Sequence, residues 1–152
     1  MGYIKEMRKK VGHDRLMIAG TAVFLYTDGK LLLQQRADNG FWGAHGGCME
    51  IGESAEDGAK RELFEETGIT ANKLELIGVS SGPEMLYTYP NGDEICVVAI
   101  TYACGDFTGA PRIDEVEVSA LKWFGFGELP SNINPLDKPQ LEAFLKYIKD
   151  RK

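Results

Sequence analysis

The chain alternates apolar and polar residues in several short runs, which is the pattern of β-strands with one buried face. Thr27-Asp28-Gly29 separates the first two runs and is typical of a tight hairpin turn. Pro90-Asn91-Gly92-Asp93 separates a later pair in the same way. A glycine-rich stretch from Asn39 to Gly52 follows the first pair and is expected to be a loop. The pattern predicts strands at Ala22–Tyr26, Lys30–Gln35, Leu74–Ser80, Met85–Tyr89, Ile95–Tyr102 and Val116–Phe124.

Three segments predict helices instead. Ile4–Val11 is a short one, and a longer one is expected over Ser54–Thr67, with Ser54 and Asp57 resembling a capping box and Gly68 ending it. A third begins near Pro139 and places four apolar residues on one face: Leu141, Phe144, Leu145 and Ile148. Strands interleaved with helices predict a single α/β domain over residues 1–152, with a mixed β-sheet and helices packed against its faces.

The composition limits the kinds of molecule that the protein is expected to bind. The chain is 43% hydrophobic and 26% charged, with a net charge of −6 and a pI near 5.0. An acidic protein has no broad basic surface for the backbone of an extended nucleic acid. If it handles phosphates, it must neutralise them locally with a metal or with a few Arg and Lys. The three cysteines form no C-x-x-C pair, and no run resembles a signal peptide or a membrane span, so we expect a cytoplasmic protein.

Candidate chemistry is concentrated on the helix over Ser54–Thr67. Glu62, Glu65 and Glu66 stand at i, i+3 and i+4, so their carboxylates share one helix face. Three like charges packed together are unfavourable unless a cation lies among them, and carboxylate ligands suit Mg²⁺ or Mn²⁺ rather than zinc. Arg61 is placed to hold a carboxylate through a bidentate pair. Taken alone, the same spacing also fits an ordinary solvated acidic face.

The wider spacing resembles a known motif. Counted from Gly47, the segment fits G-x5-E-x7-R-E-U-x-E-E-x-G-U, the Nudix box, where U is a bulky aliphatic residue; its matches are Gly47, Glu53, Arg61, Glu62, Leu63, Glu65, Glu66, Gly68 and Ile69. Flanking segments are similar to the family as well, from about Ile18 to Pro130. The resemblance implies the α/β/α sandwich of the Nudix hydrolases. One departure is His45, where many relatives carry proline before the paired glycines; we favour a neutral replacement over a ligand or acid–base role.

The resemblance also implies roles for particular residues. Glu62, Glu65, Glu66 and the Gly46 carbonyl are expected to bind Mg²⁺, for which Mn²⁺ can substitute, and Glu62 is a candidate general base. Arg61 and Glu53 are expected to brace the loop and helix. A further metal ligand from a late loop is assigned by its spacing from Trp123 to Glu117, next to Asp114 and Glu115. Candidate substrate contacts are Arg36 with a phosphate and Trp42 and Tyr87 with a base, although Phe41 and Tyr89 offer similar rings.

These roles predict a metal-dependent pyrophosphohydrolase acting on a small nucleoside diphosphate linked to another group. Nucleotide sugars and dinucleoside polyphosphates are expected to be better substrates than (d)NTPs, because Pro83 and Tyr87 lie where relatives carry residues that set specificity. Two alternatives remain open: a non-catalytic Nudix domain that senses a nucleotide, and an isomerase of the isopentenyl-diphosphate type that uses a cysteine such as Cys48. A homodimer is a further expectation from relatives.

Overall fold

A computed structural model of the protein describes residues 2–112 and 118–151. Its helices are α1 (Gly2–Val11), α2 (Ala55–Thr67) and α3 (Lys138–Asp150), with 3₁₀ turns at Pro83–Met85 and Pro135–Asp137. Its strands are β1 (Leu16–Thr27), β2 (Lys30–Arg36), β3 (Trp42–Gly43), β4 (His45–Cys48), β5 (Thr70–Ser80), β6 (Leu86–Thr88), β7 (Glu94–Thr108) and β8 (Val118–Gly125). No helix in these two ranges is both long and apolar enough to cross a bilayer.

The strands form one mixed sheet. Its main path runs β3-β2-β1-β7-β5, while β4 pairs with β1, β6 with β7 and β8 with β2. The long β1 and β7 are parallel over ten register pairs, from Leu16↔Ile95 to Leu25↔Cys104, and the other strand pairs are antiparallel. The predicted mixed sheet is therefore confirmed, with β1 at its centre.

Successive side chains of β1 point to opposite faces of the sheet, and each face packs against a different helix. Val23 and Leu25 belong to a core cluster with Leu63 of α2. Phe24, which points the other way, belongs to a second cluster with Phe144 of α3, and their rings lie 5.2 Å apart. The helices thus cover opposite faces, which gives the α/β/α arrangement that the sequence predicts.

Local signals fix the ends of α2 as expected. The Ser54 hydroxyl accepts from the backbone N–H of Asp57 at 3.1 Å, and Gly68 ends the helix with φ of 76°. The β1–β2 hairpin closes with Asp28 and Gly29 both at positive φ, 51° and 73°, which matches the right-handed twist of the strands. These short-range predictions are confirmed.

The glycine-rich stretch differs from the expected loop, because it contains the strands β3 and β4. In β4, Gly46 pairs with Ala22 and Gly47 with Thr21 of β1. Several strands are also longer than predicted: β1 begins at Leu16 and β7 continues to Thr108. Their ends are polar or glycine-containing, and they become strands by pairing with partners far away in the sequence. Of the predicted last strand, Val116 and Glu117 lie outside the described residues.

Candidate active site

Helix α2 brings the three box glutamates to one side of the sheet, at different depths. Glu66 is buried, with 6% of its surface exposed, whereas Glu62 is half-buried and Glu65 is exposed. Glu66 Oε1 accepts from the backbone N–H of Gly46 at 3.0 Å. This bond joins α2 directly to β4, so the carboxylates and the glycine backbone are held as one unit.

Arg61 links the carboxylates around this unit. Its guanidinium holds both oxygens of Glu53, at 2.7 and 3.0 Å, and reaches Glu62 Oε2 and Glu65 Oε1 at 3.2 Å each. The hydrogen bond from Arg61 is the main reason that the pKa of Glu53 lies below its usual range. Glu53 Oε1 also accepts from the backbone N–H of Glu50 at 3.1 Å. The bidentate pair expected of Arg61 is therefore present, and it braces the loop against the helix.

Gly46 and Gly47 allow close approach of neighbouring elements, and they do not form part of the loop that the sequence predicts over Asn39 to Gly52. Both lie in extended β4, whereas Gly52 does turn the chain, with φ of 80°. A side-chain carbon on Gly46 would overlap the carbonyl oxygen of Thr21, and one on Gly47 would lie 2.6 Å from Glu62 Oε2. The absence of side chains at these positions lets β4 contact both β1 and the carboxylates of α2.

Alanine substitutions should separate these two contacts. Gly46→Ala meets rigid backbone, so we expect a loss of unfolding free energy of about 1–3 kcal/mol or more from overpacking. Gly47→Ala meets only the end of a flexible carboxylate, so it should unfold nearly like wild type while losing hydrolytic activity through displaced Glu62. Urea unfolding and turnover assays on both variants test this. Wild-type stability in Gly46→Ala would contradict the described β1–β4 register.

A cleft of about 320 Å³ lies beside the carboxylates, and its lining residues are Gln34, Arg36, Asp38, Gly46, Gly47, Glu62, Glu66 and Tyr89. A second cavity, of about 110 Å³, adjoins it and shares Gln34, Arg36, Gly46, Gly47 and Tyr89 with the first. Its floor is formed largely by small residues of β1, β4 and β7, and its polar wall includes Asn134 and Asp137. The two spaces together can hold a group larger than a diphosphate.

Arg36 stands at the boundary of the two spaces. Its guanidinium makes two bonds to Asp38, at 2.9 and 2.8 Å, and lies 5.9 Å from the centre of the Tyr89 ring. Asp38 and Tyr89 favour the charged form and keep the pKa of Arg36 above its usual range despite burial. The arginine is therefore a permanent, positioned cation at the edge of an acidic cleft.

His45, which stands where many relatives carry proline, is a buried residue of β4. Its ring is fully buried, Nδ1 lies 2.7 Å from Gln34 Oε1, and burial lowers its pKa to about 4. The imidazole is consequently neutral at pH 7. Its Nε2 and the hydroxyl of Thr21 are buried with no hydrogen-bond partner within residues 2–112 and 118–151.

The other two residues that the sequence predicts to contact substrate, Trp42 and Tyr87, have different surroundings. Trp42 packs edge-on against Phe124 at 5.1 Å, in the core cluster of α3. Tyr87 accepts a hydrogen bond from Asn39 at 3.0 Å and packs edge-on against Tyr89, the ring that lines the cleft. Substrate contact by Trp42 and Tyr87 stays a prediction. The proposed metal ligand Glu117, with Asp114 and Glu115, lies outside the described residues.

Several polar residues of these cavities were not identified from the sequence, among them Gln34, Asp38, Asn134 and Asp137. Gln34 had a usable signal, because it is a polar residue that follows Leu32 on the same face of β2, directly after three leucines. Asn134 and Asp137 had none, since they reach the cavity only through a loop about ninety residues beyond β4. Spacing along one segment does not reveal such contacts.

Asp137 gives a pH-dependent prediction. Asn134 Nδ2 donates to its carboxylate at 3.2 Å, and burial raises its pKa from 3.8 to about 6. The folded state therefore holds this proton more tightly than the unfolded chain, and the contribution of Asp137 to wild-type stability is lost as the pH rises from about 4 to about 6. Asp137→Asn lacks this loss, so its stability relative to wild type should increase across that window and then level off. Urea unfolding at several pH values tests this, and a pH-independent difference would contradict it.

The donor set fits a hard divalent cation. Its groups are carboxylate oxygens and glycine backbone, which suit Mg²⁺ or Mn²⁺. Within the described ranges, no three carboxylate, imidazole or thiolate side chains converge on a single metal position. Arg61 instead attracts Glu62 and Glu65. The Glu62 carboxylate nevertheless packs directly against the Gly47 backbone, which brings a carboxylate and glycine backbone to the same point.

Comparison with known proteins identifies the family. The NUDIX domain family matches residues 17–144, so the chain belongs to it. A MutT-like protein from Streptomyces ambofaciens is 36% identical over 121 residues, which cover 80% of this chain and 71% of the relative. The crystal structure of a MutT NUDIX hydrolase from Burkholderia pseudomallei superposes with a TM-score of 0.73 and 29% identity, covering 84% of this chain and 98% of that one.

The family assignment sets the reaction class. The protein is a hydrolase acting on acid anhydrides in phosphorus-containing compounds, and enzymes of this family generally need a divalent metal and act on small nucleotide substrates. These relationships favour hydrolysis over a nucleotide sensor or an isomerase. The names of other relatives include both an oxidized purine nucleoside triphosphate hydrolase and an ADP-ribose pyrophosphatase, so they leave the substrate class open.

Proposed function

We propose that the protein is a Mg²⁺-dependent pyrophosphohydrolase that cuts the diphosphate of a nucleotide joined to a second group. The observation that supports this most directly is the cleft itself. It combines buried Glu66, half-buried Glu62, the Gly46–Gly47 backbone and the cation of Arg36 around one space that opens into a second cavity.

The proposed metal ligands are Glu62, Glu65, Glu66 and the Gly46 carbonyl. A bound divalent cation would neutralise phosphate charge and lower the pKa of a bound water. This would also explain how a chain of net charge −6 accepts an anionic substrate. Arg61 would hold Glu62 and Glu65 on one side of α2 and fasten Glu53 of the preceding loop to them, since it already bonds all three.

In the proposed reaction, water adds to one phosphorus and the bond from that phosphorus to the bridging oxygen breaks. Each product leaves as a phosphate ester or phosphate, and the water proton passes to a base, for which Glu62 is the candidate. Arg36 would bind a non-bridging phosphate oxygen, because its charge is fixed and Asp38 orients its guanidinium at the cleft edge.

The adjoining cavity supports a substrate with a group beyond the diphosphate. It provides about 110 Å³ next to the cleft and is lined by Tyr89, whose ring packs edge-on against Tyr87 with ring centres 5.1 Å apart. A base or ribose stacked on such a ring would gain about 1–3 kcal/mol where stacking has been measured. We therefore expect nucleotide sugars and dinucleoside polyphosphates to be better substrates than triphosphates.

The test is a screen of ADP-ribose, a diadenosine polyphosphate and the (d)NTPs with Mg²⁺ or Mn²⁺, read by product mass. Each substrate is compared in wild type and Tyr87→Ala by kcat/KM. A tenfold preference for triphosphates, or unchanged kcat/KM for every substrate in the variant, would contradict the stacking proposal. Binding with no product would instead indicate a nucleotide sensor. Cytoplasmic location and homodimer formation stay predictions.

A further inference from the structure

Gln34 lies where the metal cleft meets the adjoining cavity, and it lines both. Only 6% of its surface is exposed, and it is on the face of β2 that points toward α2, as Leu32 is. A nearly buried carboxamide at the junction of two cavities requires hydrogen-bond partners for both of its ends. Only one end has such a partner within the described residues.

His45 provides the partner for the oxygen. Its Nδ1 lies 2.7 Å from Gln34 Oε1, and a neutral imidazole that donates from Nδ1 has no proton on Nε2. In the other tautomer Nδ1 would be an acceptor 2.7 Å from a second acceptor, so this contact requires the Nδ1–H form. With Oε1 occupied, the group that Gln34 presents toward the cavities is its NH₂. Within residues 2–112 and 118–151 this NH₂ makes no hydrogen bond and is not one of the fully buried polar atoms without a partner, so it is open to the space of the cavities.

An NH₂ group suits this position because of the charges around it. Glu62, Glu66 and Asp38 line the same cleft, so a second arginine or lysine there would form ion pairs with them. A neutral amide can donate to a phosphate oxygen without competing with a metal for these carboxylates.

We propose that Gln34 is a substrate-binding residue whose NH₂ donates to a phosphate oxygen at the junction of the two cavities, and that His45 is the positioning residue that orients it. This inference rests on the proposed function, since it requires a phosphate in the cleft. It gives a role to the position where the sequence departs from the common proline. His45 itself acts only through Gln34.

The first test removes the donor. Gln34→Met keeps the length of the side chain but not the hydrogen bond, and Gln35→Met is the matched control, because Gln35 bonds the Gly40 carbonyl and Ser119 instead. We expect Gln34→Met to bind α,β-methylene-ADP with Mg²⁺ at least about tenfold more weakly, as measured by calorimetry, whereas Gln35→Met binds like wild type. Unchanged affinity in Gln34→Met overturns the proposal. If that variant does not fold, Gln34→Glu retains an acceptor for His45, and its added charge should abolish binding.

The second test separates positioning from a structural role. His45→Leu should raise KM by about the same factor as Gln34→Met with kcat nearly unchanged, and the double variant should be no worse than either single variant. If the role of His45 were purely structural, His45→Leu would lower Tm and leave KM unchanged, and this result would overturn the positioning role. If wild type binds α,β-methylene-ADP but hydrolyses no compound in the panel, the proposed function fails while the Gln34 comparison still decides this proposal. Wild type that binds no nucleotide contradicts both.

Discussion

Glu66→Gln is expected to lose nearly all hydrolytic activity and to keep its fold. The glutamine can still accept the hydrogen bond from the Gly46 N–H, which lies 3.0 Å from Oε1, but the negative charge is gone from a buried position that we propose binds the metal. The loss should exceed the roughly 10–100-fold that changes behind a metal ligand cause, because this change affects the ligand itself. Steady-state turnover at saturating Mg²⁺, with circular dichroism as a check of folding, measures it.

Glu56→Gln is the matched control for this substitution. Glu56 lies in the first turn of the same helix, where it is exposed and 3.9 Å from Lys60. Removing its charge alters the helix without reaching the cleft, so activity should remain at the wild-type level. Near-wild-type turnover in Glu66→Gln would show that the α2 carboxylates do not hold the catalytic metal.

Mg²⁺ is expected to stabilise wild type strongly and the double variant Glu65→Gln/Glu66→Gln hardly at all. A ligand that binds only the folded state adds about 2.7 kcal/mol when present at 100 times its Kd. For a chain of this size, that corresponds to a rise in Tm of roughly 5–10 °C. Thermal melts with and without about 10 mM MgCl₂, with NaCl added to equal ionic strength, separate binding from general screening of surface charges. Equal shifts in the two proteins would place the bound ions elsewhere.

The sequence was most informative where the determining contacts are local. Ser54 and Gly68 set the ends of α2 through bonds within a few residues, and helical spacing alone brings Glu62 and Glu66 to one face. Arg61 reaches Glu53 from about two turns along the helix, so its bidentate pair with a carboxylate could also be anticipated. Each of these predictions depends on residues less than about fifteen positions apart.

The remaining parts of the site depend on distant contacts. Gly46 is extended because it pairs with Ala22 of β1, and a glycine-rich segment without such a partner is more typical of a loop. His45 meets Gln34 only because the β1–β2 hairpin and β4 converge, and Asp137 arrives from the far end of the chain. Trp42 illustrates the opposite difficulty, because an aromatic residue suits a core as well as a substrate, and here it packs on Phe124.

The most direct test of the central claim, that α2 supports metal-dependent attack of water on phosphorus, is an isotope measurement. The best substrate of the panel is incubated in H₂¹⁸O with Mg²⁺ and wild-type protein, and the product masses are recorded. We predict one ¹⁸O atom in a single phosphate-containing product, none without metal, and none above background with Glu66→Gln. Intact substrate with wild type, or equal ¹⁸O incorporation by Glu66→Gln, would contradict the account.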